Sequence, residues 1–252
     1  MKARFLIPVL AVLLAASCGD NKTDDGSVSL QFKADFGGAP LSMFTRSYAY
    51  PEGMNVKFQN FLFYVSDVTL IKEDGTEHAL SEVELISFKN IQDDAAAAAG
   101  VVTQAAKVPP GNYKAVKMGI GIAPDLNGTQ PGDYKPGHPL TDNYWSWALG
   151  YIFTKIEGNA DLNGDGNYDE NAKLTFHIGA NSLYQVKTFN TNFSVETGEE
   201  VKLPFTVDLR KVLVNDAGNF LDFRVTRQDH TNDMNVAQFI IDNLNAAIRT
   251  AD

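Results

Sequence analysis

The chain is poor in cysteine: its 252 residues include a single one, Cys18. It can form no internal disulfide and no thiolate cage for a metal, so its stability has to come from packing and from oxygen or nitrogen ligands. Basic residues are also scarce, with 21 Lys and Arg against 31 Asp and Glu and a formal net charge of -10. Nucleic-acid binding draws on clustered Lys and Arg that neutralise phosphates, and this composition argues against such a partner. No G-x-S-x-G elbow, H-E-x-x-H pair, Walker loop or C-x-x-C-H haem attachment occurs, so the chain reads as a binding protein and not an enzyme. Hydrophobic residues nevertheless make up 44%, which is ample for a folded core and too many for a chain disordered throughout.

Residues 1–17 have the layout of an export signal. Lys2 and Arg4 form a positive end, and Phe5 to Ala16 an apolar segment too short for a permanent span, which takes ~20 residues. Ala15, Ala16 and Ser17 place small residues before Cys18, as in the lipobox of bacterial lipoproteins, although Leu is usual where Ala15 stands. Cys18 is therefore expected to carry the lipid, making the anchor the sole membrane attachment; the alternative is ordinary cleavage that leaves a free thiol. Residues 18–27 continue as a polar, Gly-containing tether, and residues 28–252 are expected to form one domain.

Val28, Leu30, Phe32 and Ala34 alternate with polar residues, the period of a strand with one buried face. Further β-rich stretches run over Lys57–Lys72, Tyr113–Ile122, Tyr151–Ile156, Lys173–Ile178, Tyr184–Val195 and Val201–Leu209, separated by Pro, Gly and Asn. This pattern predicts a mainly β fold, an antiparallel β-sandwich with long loops. One C-terminal helix is expected over Asn235–Arg249, where Val236, Phe239, Ile240, Leu244, Ala247 and Ile248 recur at helical spacing. The Ala95–Ala99 run reads as a loop or a single helical turn.

Two groups of residues carry chemistry. In DLNGDGNYDE, Asp161, Asn163, Asp165, Asn167 and Asp169 stand at alternate positions around Gly166. That spacing suits Ca²⁺, which takes six to eight oxygen ligands, with Glu170 standing in for the bidentate Glu of a full EF-hand loop, whose twelfth position is here Ala172. The same residues are common turn formers, so a metal-free turn is the competing reading. The second group is NYWSWALGY, which holds both tryptophans, Trp145 and Trp147, with His177 in LTFHIG and His230 in RQDHTNDM. His177 falls on the face of its strand opposite Leu174, Phe176 and Ile178. His78 and His138 read as exposed loop residues. An aromatic pair alone is most often core packing, and a lone His most often structural.

The strings FLFYVSDVTL, VPPGNYKAVKMGIGI, YWSWALGYIFTKIEG, LTFHIG and DHTNDM, in that order before a terminal helix, resemble the MbnP-like copper-binding domain family of exported Gram-negative bacterial proteins. The resemblance spans Val28 to the C-terminus, and its most specific part is the Trp-Ser-Trp string with the Gly-Tyr after it. It implies a β-sandwich-like fold and copper binding in the periplasm or at the cell surface. For some members it also implies work beside an MbnH-type di-haem peroxidase, which oxidises a Trp of its partner to kynurenine. Carried onto matching positions, His177 and His230 become copper ligands and Trp145 or Trp147 the oxidisable residue. Neutral imidazole suits copper, whereas the indole lone pair belongs to the ring; kynurenine offers an aniline amine instead. Some members use a further His early in the domain, and LQFKADFGGAPL has none. Met234 is a possible soft ligand, though Met at a helix start more often packs.

The expectation is a lipid-anchored protein of the cell envelope, at the outer membrane or in the periplasm, that binds copper for metal handling. The alternative is a calcium-stabilised β-sandwich ligand-binding or adhesion module without copper.

Overall fold

Alternating apolar residues set the first strand, β1 (Gly26–Phe36), in which Val28, Leu30, Phe32, Ala34 and Phe36 are buried. The computed structural model describes residues 24–145, 150–168 and 172–251. The longest strand is β2 (Asn55–Lys72), 18 residues long. Along one edge of β2 its first half pairs with β7 (Thr154–Asp161) and its second half with β4 (Gly111–Ile120). The opposite edge takes β3 (Glu77–Ser87). His78 therefore belongs to a strand and not to an exposed loop; it pairs with Leu70, and its Nε2 lies 3.2 Å from the Lys107 carbonyl.

The larger sheet runs β9 (Gln185–Val195), β4, β2, β7, β8 (Lys173–Ile178), β11 (Gln228–Asp229). The smaller is built on β1 and β10 (Glu200–Asp208), with β12 (Ile248–Thr250) beyond β10. A separate ribbon joins β5 (Tyr144–Trp145) to β6 (Gly150–Tyr151). The mainly β, sandwich-like expectation is met, but the sheets are mixed and not purely antiparallel. β1 pairs with β10 in parallel over nine positions, Ser27↔Glu200 to Asp35↔Asp208, and β8 pairs with β11 in parallel. Strands so far apart in sequence are joined by long crossovers, which leave no mark in a local pattern.

The two sheets meet through aromatic rings. Phe32 of β1 stacks on Phe205 of β10 at 5.1 Å and meets Phe63 of β2 edge-on at 5.7 Å, while Phe189 of β9 meets Phe205 at 5.2 Å. One apolar cluster is continuous from Val28 to Ile248.

The helices cap this core. The alanine run forms a single short helix, α1 (Asp94–Ala99), started by the Asp93 side chain accepting from Ala96 N. It stops at Gly100, whose φ of +67° favours glycine and whose backbone lies so near Phe32 O that a Cβ would come within 2.4 Å. After the short α2 (Pro124–Asn127) come two helices that pack together, α3 (Leu209–Leu213) and α4 (Met234–Ala247). α3 is a second late helix that the apolar spacing does not announce. Asp208 holds its start, accepting from Arg210 N at 2.9 Å and from Gly37 N at 2.9 Å. α4 ends two residues before the expected Arg249, because Ile248 to Thr250 leave the helix to pair with Phe205 to Val207. Among the described residues no helix is long and apolar enough to cross a membrane.

Phe32→Ala removes the ring on which both sheets converge; it is expected to lower the unfolding free energy by about 3–5 kcal/mol in chemical denaturation, the usual cost of a buried Phe-to-Ala cavity.

Candidate metal centre

β7 and β8 pair antiparallel, Lys155 opposite His177 and Ile156 opposite Phe176. Alternation buries Ile156, Phe176 and Ile178 and sends Lys155, Glu157 and His177 to the outer face. On the far side of β8, β11 aligns Asp229 with Phe176, which sets His230 next to His177. The two imidazoles lie 4.9 Å apart between ring centres, with planes at 82°. The two histidines expected to act together thus meet.

The turn after β11 is tied down. Thr231, buried and with φ of +61°, accepts from Gly179 N at 3.0 Å and donates to His177 O at 3.3 Å. Asp229 accepts from Asn232 N and Asp233 N, each at 3.0 Å, and Asp233 in turn accepts from Asn235 N at the start of α4. Gly179 permits the approach of the neighbouring chain, since a Cβ there would come within 2.2 Å of Tyr151 O. His230 is therefore held by the helix cap on one side and by the end of β8 on the other.

His177 Nε2 lies 2.7 Å from Glu157 Oε1, and Glu157 Oε2 accepts from Asn60 Nδ2 at 3.0 Å. The hydrogen bond to His177 is the main reason the Glu157 carboxyl is held down to about 2, against the cost of partial burial. Burial, reinforced by the neighbouring His177, lowers the pKa of His230, with Asp229 opposing. An imidazole shifted this way stays neutral and keeps a lone pair for a metal. Glu157 is the participant that a search for metal ligands passes over; its signal was the alternation Lys155, Glu157 on a strand followed by the strand of His177.

Trp145 is buried in β5 opposite Gly150. Among the described residues it neither stacks on nor hydrogen-bonds to either histidine; the link is indirect. Asn143, two residues before it, accepts from Lys155 Nζ at 2.9 Å and donates to Tyr64 OH at 3.1 Å. Burial pushes the Tyr64 phenol up to about 12, so it remains a donor, here to Pro139 O at 2.9 Å. Trp147 and Cys18 lie outside the described residues. His138, expected as an exposed loop residue, is half-buried: it caps a 3₁₀ turn through Leu140 N and stacks on Tyr134 at 4.1 Å.

In the acidic loop Asp161 is fully buried and turned inward on the backbone. Its Oδ1 accepts from Gly164 N at 2.8 Å and Asp165 N at 3.1 Å, its Oδ2 from Gly166 N at 3.0 Å and Asn55 Nδ2 at 3.2 Å. Burial opposes ionisation of this carboxyl, but these donors outweigh it and lower its pKa. Asn163 donates to Asp165, and Asp165 accepts from Asn167 N at 2.8 Å. These are the bonds of an Asx-type turn. Asp169 and Glu170 lie outside the described residues. Among the described residues no three His, Cys, Asp or Glu side chains gather as a metal cage.

A carboxyl whose folded value is depressed stabilises the fold above its unfolded value and loses that contribution as pH falls through the folded one. The difference in melting temperature between the protein and Glu157→Gln is therefore expected to be full at neutral pH. It should shrink between pH about 4.5 and about 2; a difference that does not change over this window would contradict the pairing.

Comparison with known proteins places the chain in a family. A search of curated proteins finds no match. Among solved structures, MbnP from Methylosinus trichosporium is similar with a TM-score of 0.48 and 16% identity, covering 75% of this chain and 78% of that one. The sequence profile of the MbnP family matches residues 25–236, which take in the larger sheet, β1 and β10 of the smaller one, and both histidines. The chain belongs to the MbnP family.

Proposed function

We propose that this protein binds copper through His177 and His230 and serves metal handling and not catalytic turnover. The observation that carries the reading is the pairing of two imidazoles at 4.9 Å on the outer face of the larger sheet, one of them anchored by a carboxylate. Metal-binding histidines commonly give their second ring N–H to a carboxylate, which fixes the ring and strengthens the donor. Imidazole nitrogen suits copper in either oxidation state. Membership of the MbnP family supports the same reading, since characterised members bind copper.

The family also supplies the third donor we favour, an oxidised tryptophan, Trp145 or Trp147, formed by an MbnH-type di-haem peroxidase acting on this chain as its substrate. Trp145 stands two residues after Asn143, which accepts from Lys155, the residue opposite His177, and this supports its candidacy. The alternative stays a calcium-stabilised β-sandwich ligand-binding or adhesion module, in which the loop that curls around the Asp161 carboxylate would hold the ion. We further propose that Cys18 carries a lipid that anchors the protein in the envelope of a Gram-negative bacterium, at the outer membrane or facing the periplasm.

Titration of the purified mature protein with copper is expected to reach about one ion per chain, with His177→Ala and His230→Ala each losing it. Undiminished binding in both variants would sink the site. Cys18→Ser is expected to move the protein from the membrane to the soluble fraction of the envelope; unchanged membrane association would refute the anchor.

A further inference from the structure

We infer that Glu157 is the positioning residue of this centre: it holds the neutral His177 ring in its Nε2–H form, so that the metal is taken through Nδ1. The inference rests on the copper reading above and adds to it which nitrogen binds and what selects it.

The order of strands gives the arrangement two sides. β8 carries His177, β7 with Glu157 lies along one edge of it, and β11, leading into His230, lies along the other. The nitrogen 2.7 Å from Glu157 thus faces the β7 side, which leaves Nδ1 as the ring's other nitrogen. A carboxylate only accepts hydrogen bonds, so the proton between it and a neutral imidazole sits on Nε2 and the lone pair on Nδ1.

The carboxylate is itself held. Asn60, 7% exposed, donates its Nδ2 to Oε2, and an amide turned the other way would set its oxygen against the carboxylate. A bulge makes this contact possible. Between Glu157 and Gly158 the register with β2 shifts, from Glu157↔Asn60 to Gly158↔Phe58, leaving Gln59 as the extra residue. Successive residues of a regular strand point to opposite faces, but here both Gln59 and Asn60 reach the outward-facing residues of β7, donating to Asn159 at 2.8 Å and to Glu157 at 3.0 Å. The local ladder is interrupted where an amide is brought to Glu157.

The test combines nitrogen NMR with copper binding on the mature protein. In the metal-free protein at alkaline pH, two-bond ¹⁵N–¹H correlations are expected to show His177 as the Nε2–H form alone. On loading with Cu(I), which is diamagnetic, the Nδ1 resonance should move while Nε2 keeps its proton. Glu157→Gln is expected to weaken copper binding about 10- to 100-fold, in line with loss of an outer carboxylate, and Glu157→Ala to admit the Nδ1–H form. An Nδ1–H tautomer in the wild type, loss of the Nε2 proton on loading, or Glu157→Gln binding copper as tightly as the wild type would each overturn the inference while leaving the histidine site intact. A wild type that binds no copper overturns the copper reading and the inference with it, and is told apart by that titration alone.

Discussion

The arrangement depends first on the register between β7 and β8. With Lys155 opposite His177, the apolar residues of both strands point into the core and Lys155, Glu157 and His177 point out. A slip of one residue would bury the imidazole and expose Phe176, so the hydrophobic effect that fixes the sheet also fixes the site. β11 then needs only two paired positions to set His230 in place, because the Thr231 turn and the α4 cap hold the chain beyond it.

Much of the fold was legible where one face of an element is buried. β1, β8 and α4 show their periods openly; β8 has the expected limits, and those of α4 differ by one or two residues. What could not be read was partner choice. The parallel pairing of β1 with β10 joins segments from opposite ends of the domain, and no local residue pattern encodes it. β3 escaped because much of it is half-buried or exposed, and α3 because five residues do not complete two helical turns. The end of α4 moved for a tertiary reason: Ile248 contributes more as an edge strand beside Val207 than as a further turn of helix.

The same division holds for the site. His177 and His230 were identifiable by residue type and by their strings, but their meeting depends on a parallel contact between β8 and β11 that sequence spacing does not reveal. Glu157 was passed over because a carboxylate on an exposed strand face is ordinary; it becomes significant only through its distance to His177 and its second bond to Asn60. In the acidic loop the alternating oxygens were legible, whereas the inward turn of Asp161, which accepts from Gly164, Asp165 and Gly166 N, comes from the folded backbone and not from the spacing.

The position of β11 also has a temporal meaning. His177 is made before His230, and β11 is the last in sequence of the described strands of the larger sheet, immediately ahead of α4. A chain interrupted or clipped before residue 228 keeps the strands that carry Glu157 and His177 yet lacks the second imidazole. The pair thus exists only where β11 has docked beside β8, and any stretch of the chain that stops short of His230 carries one imidazole in place of two.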